Sequence, residues 1–122
     1  EVMESFLKAE NGGKNICALY AHNDDMAVGA IQAIKEAGLK PGSDIKIVSI
    51  DAVPDIFQAI AAGEANATVE LTPNMAGPAF DALKAFTENG TVPPKFIQTE
   101  SKLYTQKDDP AKEYEARKGL GY

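Results

Sequence analysis

The sequence predicts an α/β fold, in the form of a three-layer α/β/α sandwich with a mainly parallel sheet. Apolar runs of strand length alternate with segments whose apolar residues recur every three or four positions, as on the buried face of a helix. The connections between these segments are short, which favours parallel strands joined by right-handed crossovers. With 122 residues, of which 44% are hydrophobic, the chain can bury a core of its own.

The order of elements follows from these patterns and from the glycines and prolines between them. The predicted elements are a helix over 1–11, a strand over 16–20, a helix over 24–37, a strand over 45–50, a helix over 54–62, a strand over 67–71, a helix ending at Asn89, a strand over 95–99, a short extended piece over 102–104 and a final helix over 111–118. Asn23 or Asp24 is a natural N-cap for the second helix, and Gly38 a natural C-terminal cap. Pro78 either kinks the helix before Asn89 or stands near its start.

Composition excludes several classes of protein. A net charge of −6 argues against a nucleic-acid groove, which requires a basic face. The single cysteine, Cys17, lies in a predicted strand and leaves no internal disulfide or cysteine metal site. No run approaches the roughly 18 apolar residues of a membrane span, and no signal-peptide pattern is present. The chain opens on Glu1 in a helical pattern without a start methionine, so we expect it to be part of a longer protein.

Polar side chains follow three of the predicted strands. They are His22 to Asp25, then Asp51, then Glu70 with Thr72 and Asn74. The carboxyl edge of an open α/β sheet is where ligands bind, and carboxylates and amides there can hydrogen-bond adjacent sugar hydroxyls. In a plainer interpretation Asn23, Asp24 and Asp51 only cap helices. In a third, Asp24, Asp25 and Asp51 form an acidic pocket for a magnesium ion.

Motifs for catalysis or cofactor binding are missing from the sequence. Gly12-Gly13 is not followed by the lysine and serine of a phosphate loop, and neither GxGxxG nor GxSxG occurs. With one histidine, a histidine metal cluster is excluded, and Ser43 and Ser49 have no histidine within plausible reach. The sequence therefore predicts no enzyme, no cofactor and no metal.

Three motifs together resemble a known family. They are Ala-His-Asn-Asp-Asp-Met-Ala-Val-Gly-Ala over 21–30, Ile-Val-Ser-Ile-Asp over 47–51 and Ala-Thr-Val-Glu-Leu-Thr-Pro-Asn-Met-Ala-Gly over 67–77. In this order and spacing they resemble the type I periplasmic sugar-binding proteins, the solute receptors of ABC importers. The resemblance extends along essentially the whole chain.

The resemblance implies a flavodoxin-like lobe from a two-lobed receptor that clamps its sugar at a hinge. Residues 1–71 would then be the sugar-binding portion of the second lobe, 72–104 a crossover helix and strand of first-lobe and hinge material, and 105–122 a peripheral C-terminal tail. The implied ligand is a monosaccharide, galactofuranose or a related sugar, and the implied partner is the membrane permease of the transporter. The implied location is the periplasm, without direct membrane insertion. The chain would form a homo-oligomer or associate with an N-terminal lobe that it lacks.

The resemblance also implies the site residues. Asn23 matches the family's sugar-binding asparagine, and Asp51 matches the aspartate that binds the sugar from the next strand. A family glutamine aligns with Leu71, so Glu70 is the candidate for that contact, and Asp24 is a further candidate. The family's second glycine around the aspartate is replaced by Ala52.

Two other functions remain open at this point. One is the effector-binding core of a sugar-responsive repressor of the same fold. The other is a phosphoacceptor receiver domain, because Asp24-Asp25, Asp51, Thr72 and Lys102 imitate its acidic pair, acceptor, threonine and lysine. Only one helix separates Asp25 from Asp51, whereas a receiver domain has a further strand and helix between these positions. The spacing therefore counts against the receiver domain.

Overall fold

The computed structural model describes residues 1–120. Within them, five α-helices, one 3₁₀ helix and four strands follow one another as α1 (Val2–Ala9), β1 (Ala18–Tyr20), α2 (Asp24–Glu36), β2 (Lys46–Asp51), α3 (Pro54–Ala61), β3 (Ala67–Glu70), α4 (Ala76–Asn89), β4 (Leu103–Thr105), the 3₁₀ helix (Gln106–Asp108) and α5 (Pro110–Arg117). The alternation of strands and helices confirms the predicted α/β class.

The sheet has the order β1-β2-β3-β4. β1 pairs in parallel with β2 and β2 in parallel with β3, while β4 runs antiparallel to β3. α2 and α3 are the crossovers between the parallel strands, as the short connections predicted. Gly38, with φ +77°, lies directly after the C-cap of α2 and ends that helix as expected.

One face of the sheet packs against the helices. Its side chains alternate with those of the opposite face along each strand, and the buried members are Ile47, Ser49, Thr68 and Tyr104. The core between sheet and helices is completed by Ile34, Ile56, Phe57 and Ile60, all fully buried. On the opposite face Tyr20, Val48, Val69 and Leu103 are between 38% and 57% exposed. The sheet is therefore packed mainly on one side, by α1, α2, α3 and α5.

The predicted strand over residues 95–99 is wrong. This segment has no regular secondary structure, and the last strand is instead Leu103–Thr105, which overlaps the short extended piece expected over 102–104. A strand needs hydrogen bonds to a neighbouring strand, and residues 95–99 pair with none of the four strands of the sheet; β4 pairs with β3, with Val69 opposite Leu103 and Thr68 opposite Tyr104. Cys17 also differs from expectation, because it precedes β1 and is exposed.

Pro78 is the third residue of α4. The first four N–H groups of a helix have no partner inside the helix, so proline removes no hydrogen bond at this position. The helix begins at Ala76, as one of the two alternatives for Pro78 predicted. It ends at Asn89, and its C-cap is Gly90, whose φ of +67° is left-handed.

The chain divides into two compact units. Unit 1 contains Glu1–Glu70 and the chain from Lys102 onward, and unit 2 is Leu71–Ser101, with α4 as its helix. β4 therefore belongs to unit 1, together with the helix that follows it. The segment expected to be a peripheral tail contains α5, and Arg117 of α5 lies over the ring of Phe57 in α3, 5.4 Å from its centroid. The polar composition of this segment concealed that contact.

Candidate functional site

Asn23 and Asp51 lie beyond the same edge of the sheet. Asp51 is the last residue of β2, and Asn23 follows β1 by three residues. The two strands are parallel and adjacent, with Tyr20 opposite Val48, so both residues come at the carboxyl edge. Neighbouring strands are about 4.8 Å apart, a spacing that one sugar ring can bridge. The structure thus places the two strongest candidates from the sequence on neighbouring strand ends.

Asn23 is the N-cap of α2, as predicted. Its Oδ1 accepts a hydrogen bond of 2.8 Å from the backbone N–H of Met26. The capping interpretation is therefore correct for this residue. Capping uses only the amide oxygen, because the Nδ2 group is a donor. The cap fixes the rotation of the side chain and leaves two N–H donors for a ligand hydroxyl.

Asp51 does not cap a helix. The N-cap of α3 is Val53, and within residues 1–120 the Asp51 carboxylate has no hydrogen-bonding or ion-pair partner. Its backbone is unusual, with φ +125°, and the next residue, Ala52, has φ +65°. Left-handed φ values in residues other than glycine cost about 1–3 kcal/mol each, and they cluster at functional sites. A glycine at position 52 would adopt this φ without the steric cost that the Cβ of alanine brings.

Asp24 lies at the centre of a buried hydrogen-bond cluster. Its side chain is fully buried, and Oδ1 accepts hydrogen bonds from the hydroxyl groups of Ser49 and Thr68, the latter at 2.8 Å. Oδ2 accepts a bond of 2.9 Å from the backbone N–H of Val53. Because both carboxylate oxygens accept hydrogen bonds from the protein, Asp24 links α2 to β2, to β3 and to the backbone after β2. The structure therefore corrects its expected role as a ligand contact.

Burial raises the pKa of the Asp24 carboxyl above its ordinary value. The removal of water disfavours the ionised form and outweighs the hydrogen bonds from Ser49, Val53 and Thr68, which stabilise the carboxylate.

Glu70 ends β3 at the same edge but is directed to a different set of partners. Its Oε2 accepts a hydrogen bond of 3.1 Å from the hydroxyl of Tyr104, and Oε1 lies 3.2 Å from Nη1 of Arg117. Arg117 also donates to the Tyr104 hydroxyl at 2.7 Å. Burial raises the pKa of Tyr104, and so does the hydrogen bond to Glu70, while the charge of Arg117 acts in the opposite direction. The raised pKa keeps the phenol protonated. Glu70 thus anchors α5, and we do not retain it as a sugar contact.

The remaining polar residues of the edge do not form a metal site. Within residues 1–120, no group of three or more histidine, cysteine, aspartate or glutamate side chains is arranged to hold a metal ion. The magnesium interpretation needed Asp24, which is already surrounded by protein donors. The ring of His22 packs edge-on against Tyr20, with 5.2 Å between centroids.

None of the helices in the described part of the chain has the length and apolar character of a membrane span.

Sequence reasoning missed Thr68 and Ser49 as partners of Asp24. A signal was available for Ser49, which comes two positions after the buried Ile47 and therefore lies on the covered face of β2. A hydroxyl at such a position needs a buried partner. The partner could not be identified from the sequence, because Asp24 is 44 positions away from Thr68.

A strand-end site on a sheet of this kind is typical of α/β ligand-binding lobes. The chain belongs to the periplasmic binding protein family, whose domain matches residues 1–91. It is 66% identical over all 122 residues to the galactofuranose-binding protein YtfQ of Escherichia coli, and covers 38% of that protein. A crystal structure of a galactofuranose binding protein matches 99% of this chain with a TM-score of 0.91 and 65% identity, over 40% of that structure.

A second solved structure is also similar. The arabinose-transporter binding protein of Shewanella sp. ANA-3, bound to α- and β-L-arabinofuranose, is 55% identical over 98% of this chain, with a TM-score of 0.88, and 39% of that protein is covered. The chain therefore spans about 40% of the length of these relatives. Membership of this family confirms the resemblance seen in the sequence and excludes the receiver domain.

Proposed function

We propose that this chain is the sugar-binding portion of a solute receptor that delivers a furanose sugar to an ABC importer. The observation that carries the proposal is the placement of Asn23 and Asp51 at the ends of two adjacent parallel strands. The Asn23 amide supplies N–H donors, and the Asp51 carboxylate supplies acceptors without a partner among residues 1–120. Together they can bind neighbouring hydroxyls of one ring.

The relatives point to the class of sugar. One is named for galactofuranose and another is bound to arabinofuranose, and both are similar to this chain over almost its whole length. We infer a five-membered ring, galactofuranose or arabinofuranose, as the ligand. The protein binds it without chemical change and passes it to a membrane permease from the periplasm.

Calorimetry on the protein at its full encoded length tests this proposal. The probes are D-galactose and L-arabinose, whose aqueous solutions contain furanose forms. We expect binding by the wild type, with a loss of roughly 2–4 kcal/mol in Asp51→Ala, or about thirtyfold to a thousandfold in Kd, because a charge-assisted bond is lost. Asp55→Ala removes the same charge from an exposed position in the first turn of α3 and should bind as the wild type does.

Two results would contradict the proposal. If the wild type binds neither sugar, the proposal that its ligand is a furanose is wrong. Wild-type affinity in Asp51→Ala would remove Asp51 from the site. The repressor alternative shares the same lobe and would instead appear as sugar-dependent binding to DNA.

A further inference from the structure

The backbone that carries Asp51 is held by two hydrogen bonds immediately after it. The N–H of Ala52 donates to Oγ1 of Thr68 at 3.3 Å, and the N–H of Val53 donates to Oδ2 of Asp24 at 2.9 Å. The Thr68 hydroxyl in turn donates to Oδ1 of Asp24 at 2.8 Å. Both amides are therefore connected to the Asp24 carboxylate: that of Val53 donates to it directly, and that of Ala52 is linked to it through the Thr68 hydroxyl.

This arrangement fits a backbone that needs outside support. Asp51 and Ala52 have positive φ values of 125° and 65°, which residues with a side chain rarely adopt. Such conformations persist only where the surroundings over-determine them. The surroundings here are Asp24 and Thr68, both with 0% exposure, so no ligand touches either of them.

Asp24 also joins the two proposed sugar contacts to each other. It is the first residue of α2, directly after Asn23, whose side chain caps that helix. Its carboxylate reaches across to the chain that follows Asp51. The separation between the Asn23 amide and the Asp51 carboxylate is thus set by a short path through one buried side chain. A sugar ring needs both contacts at a fixed distance, and pre-organised groups bind more tightly because less ordering is required on binding.

We propose that Asp24 and Thr68 are positioning residues, which hold the strained Asp51–Ala52 backbone so that the Asp51 carboxylate meets the sugar at a fixed distance from Asn23. The proposal rests on the proposed function, in which Asp51 binds the sugar. It gives Asp24, the first acid of the Asn-Asp-Asp sequence, a role without ligand contact that acts through Thr68 of β3.

Thr68→Val is the decisive variant. Valine has nearly the same shape as threonine but lacks the hydroxyl, so the Ala52 N–H loses its acceptor while the packing of β3 is kept. The matched control is Asn66→Ala, just before β3 at the opposite edge of the sheet. Asn66 accepts from the N–H of Ile47 at 2.7 Å and donates to the carbonyl of Gly42 at 3.0 Å. Its loss removes hydrogen bonds from the same strands without touching the Asp51 segment.

Two measurements on the full-length protein separate positioning from general stability. The first is hydrogen exchange of the Ala52 amide in the sugar-free protein, followed by NMR. The second is calorimetry with D-galactose and L-arabinose. In Thr68→Val we expect exchange at Ala52 to quicken about tenfold or more and affinity to fall about tenfold, because the two hydrogen bonds of the Thr68 hydroxyl, from Ala52 and to Asp24, are both lost. Thr68→Ser, which retains the hydroxyl, should restore most of both, and Asn66→Ala should change neither.

The two readouts keep this inference separate from the proposed function. Unchanged exchange at Ala52 in folded Thr68→Val would overturn the positioning role, whether or not any sugar binds. If the wild type binds sugar and Thr68→Val binds it equally well, the role is also overturned. A wild type that binds neither sugar contradicts the proposed function alone, and the exchange experiment then still decides whether Thr68 holds this segment. An affinity loss of equal size in Asn66→Ala would show general destabilisation and overturn the inference.

Discussion

At the scale of single residues, the sequence identified the positions of the site better than their roles. Asn23 could be predicted as an N-cap because its place before a helical pattern and its side chain both favour it. Asp24 could not be assigned in the same way. Its role depends on which strand residues meet it, and that follows from the register, with Ser49 opposite Thr68. The register between two strands is a property of the folded sheet and cannot be read from neighbouring residues in the sequence.

The raised pKa of Asp24 predicts a pH dependence of stability. In the unfolded chain its pKa is about 3.9. Because the folded state has the higher value, it binds the proton more readily, so the contribution of Asp24 to stability is complete below that pH and is lost as pH rises through the folded-state pKa. We therefore expect the free energy of unfolding of the wild type, minus that of Asp24→Asn, to increase as the pH is lowered from 7 towards 4.

Urea denaturation of both proteins at a series of pH values measures this difference directly. The subtraction matters because other carboxyl groups titrate over the same range and act in both proteins. Hydrogen bonds to Asp108 from the backbone and side chain of Thr105 lower the pKa of Asp108, for example, and that group opposes the trend. A difference that stays constant, or that grows as the pH rises, would contradict the assignment of a buried carboxyl with a raised pKa.

At the scale of elements, strands and helices with an apolar pattern were predictable, and those held by specific polar contacts were less so. β2 and α2 follow directly from β-branched runs and helical spacing. The segment over 95–99 has a similar local pattern but pairs with none of the four strands of the sheet. α5 has little apolar character, and its docking depends on Arg117, Glu70 and Tyr104. Such contacts between distant positions are not visible in a local pattern.

Arg117 should determine whether α5 stays packed against the rest of unit 1. Its guanidinium lies 5.4 Å from the ring centroid of Phe57 and 5.1 Å from that of Tyr104, and it pairs with Glu70 while only 14% of its side chain is exposed. Arg117→Ala leaves Glu70 without its charge partner and removes the packing of the arginine on both rings. We expect a loss of roughly 2–3 kcal/mol in the free energy of unfolding, below the range for a fully buried pair.

Chemical denaturation measures the effect, with Lys118→Ala as the control on the same helix. Lys118 pairs with Glu115, but their side chains are 51% and 63% exposed, so this change should stay within about 0.5 kcal/mol. If both variants are equally stable, the Arg117 contacts do not hold α5.

At the scale of the whole molecule, the exposed apolar surface is large for a chain of this length. Phe80, Leu83 and Phe86 form the apolar face of α4, yet they are 69%, 55% and 51% exposed, and no residue of α4 is buried. Phe96 and Ile97 in the same unit are 76% and 45% exposed. In unit 1 the uncovered sheet face adds the half-exposed side chains of Tyr20 and Leu103. The relatives are about two and a half times as long, and we propose that their additional chain covers such surfaces.

We expect the 122-residue chain by itself to associate at micromolar concentration and to bind a hydrophobic dye. Contiguous apolar patches of this kind are rarely exposed on a soluble monomer. Replacing Phe80 and Phe86 together with lysine should shift the chain towards the monomer in light scattering and lower dye fluorescence. Glu88→Lys changes the net charge of the same helix by the same amount without removing apolar surface, so it should leave the association intact. A wild-type chain that is monomeric and binds no dye would contradict this expectation, and equal dispersal by Glu88→Lys would assign the effect to charge instead of the α4 face.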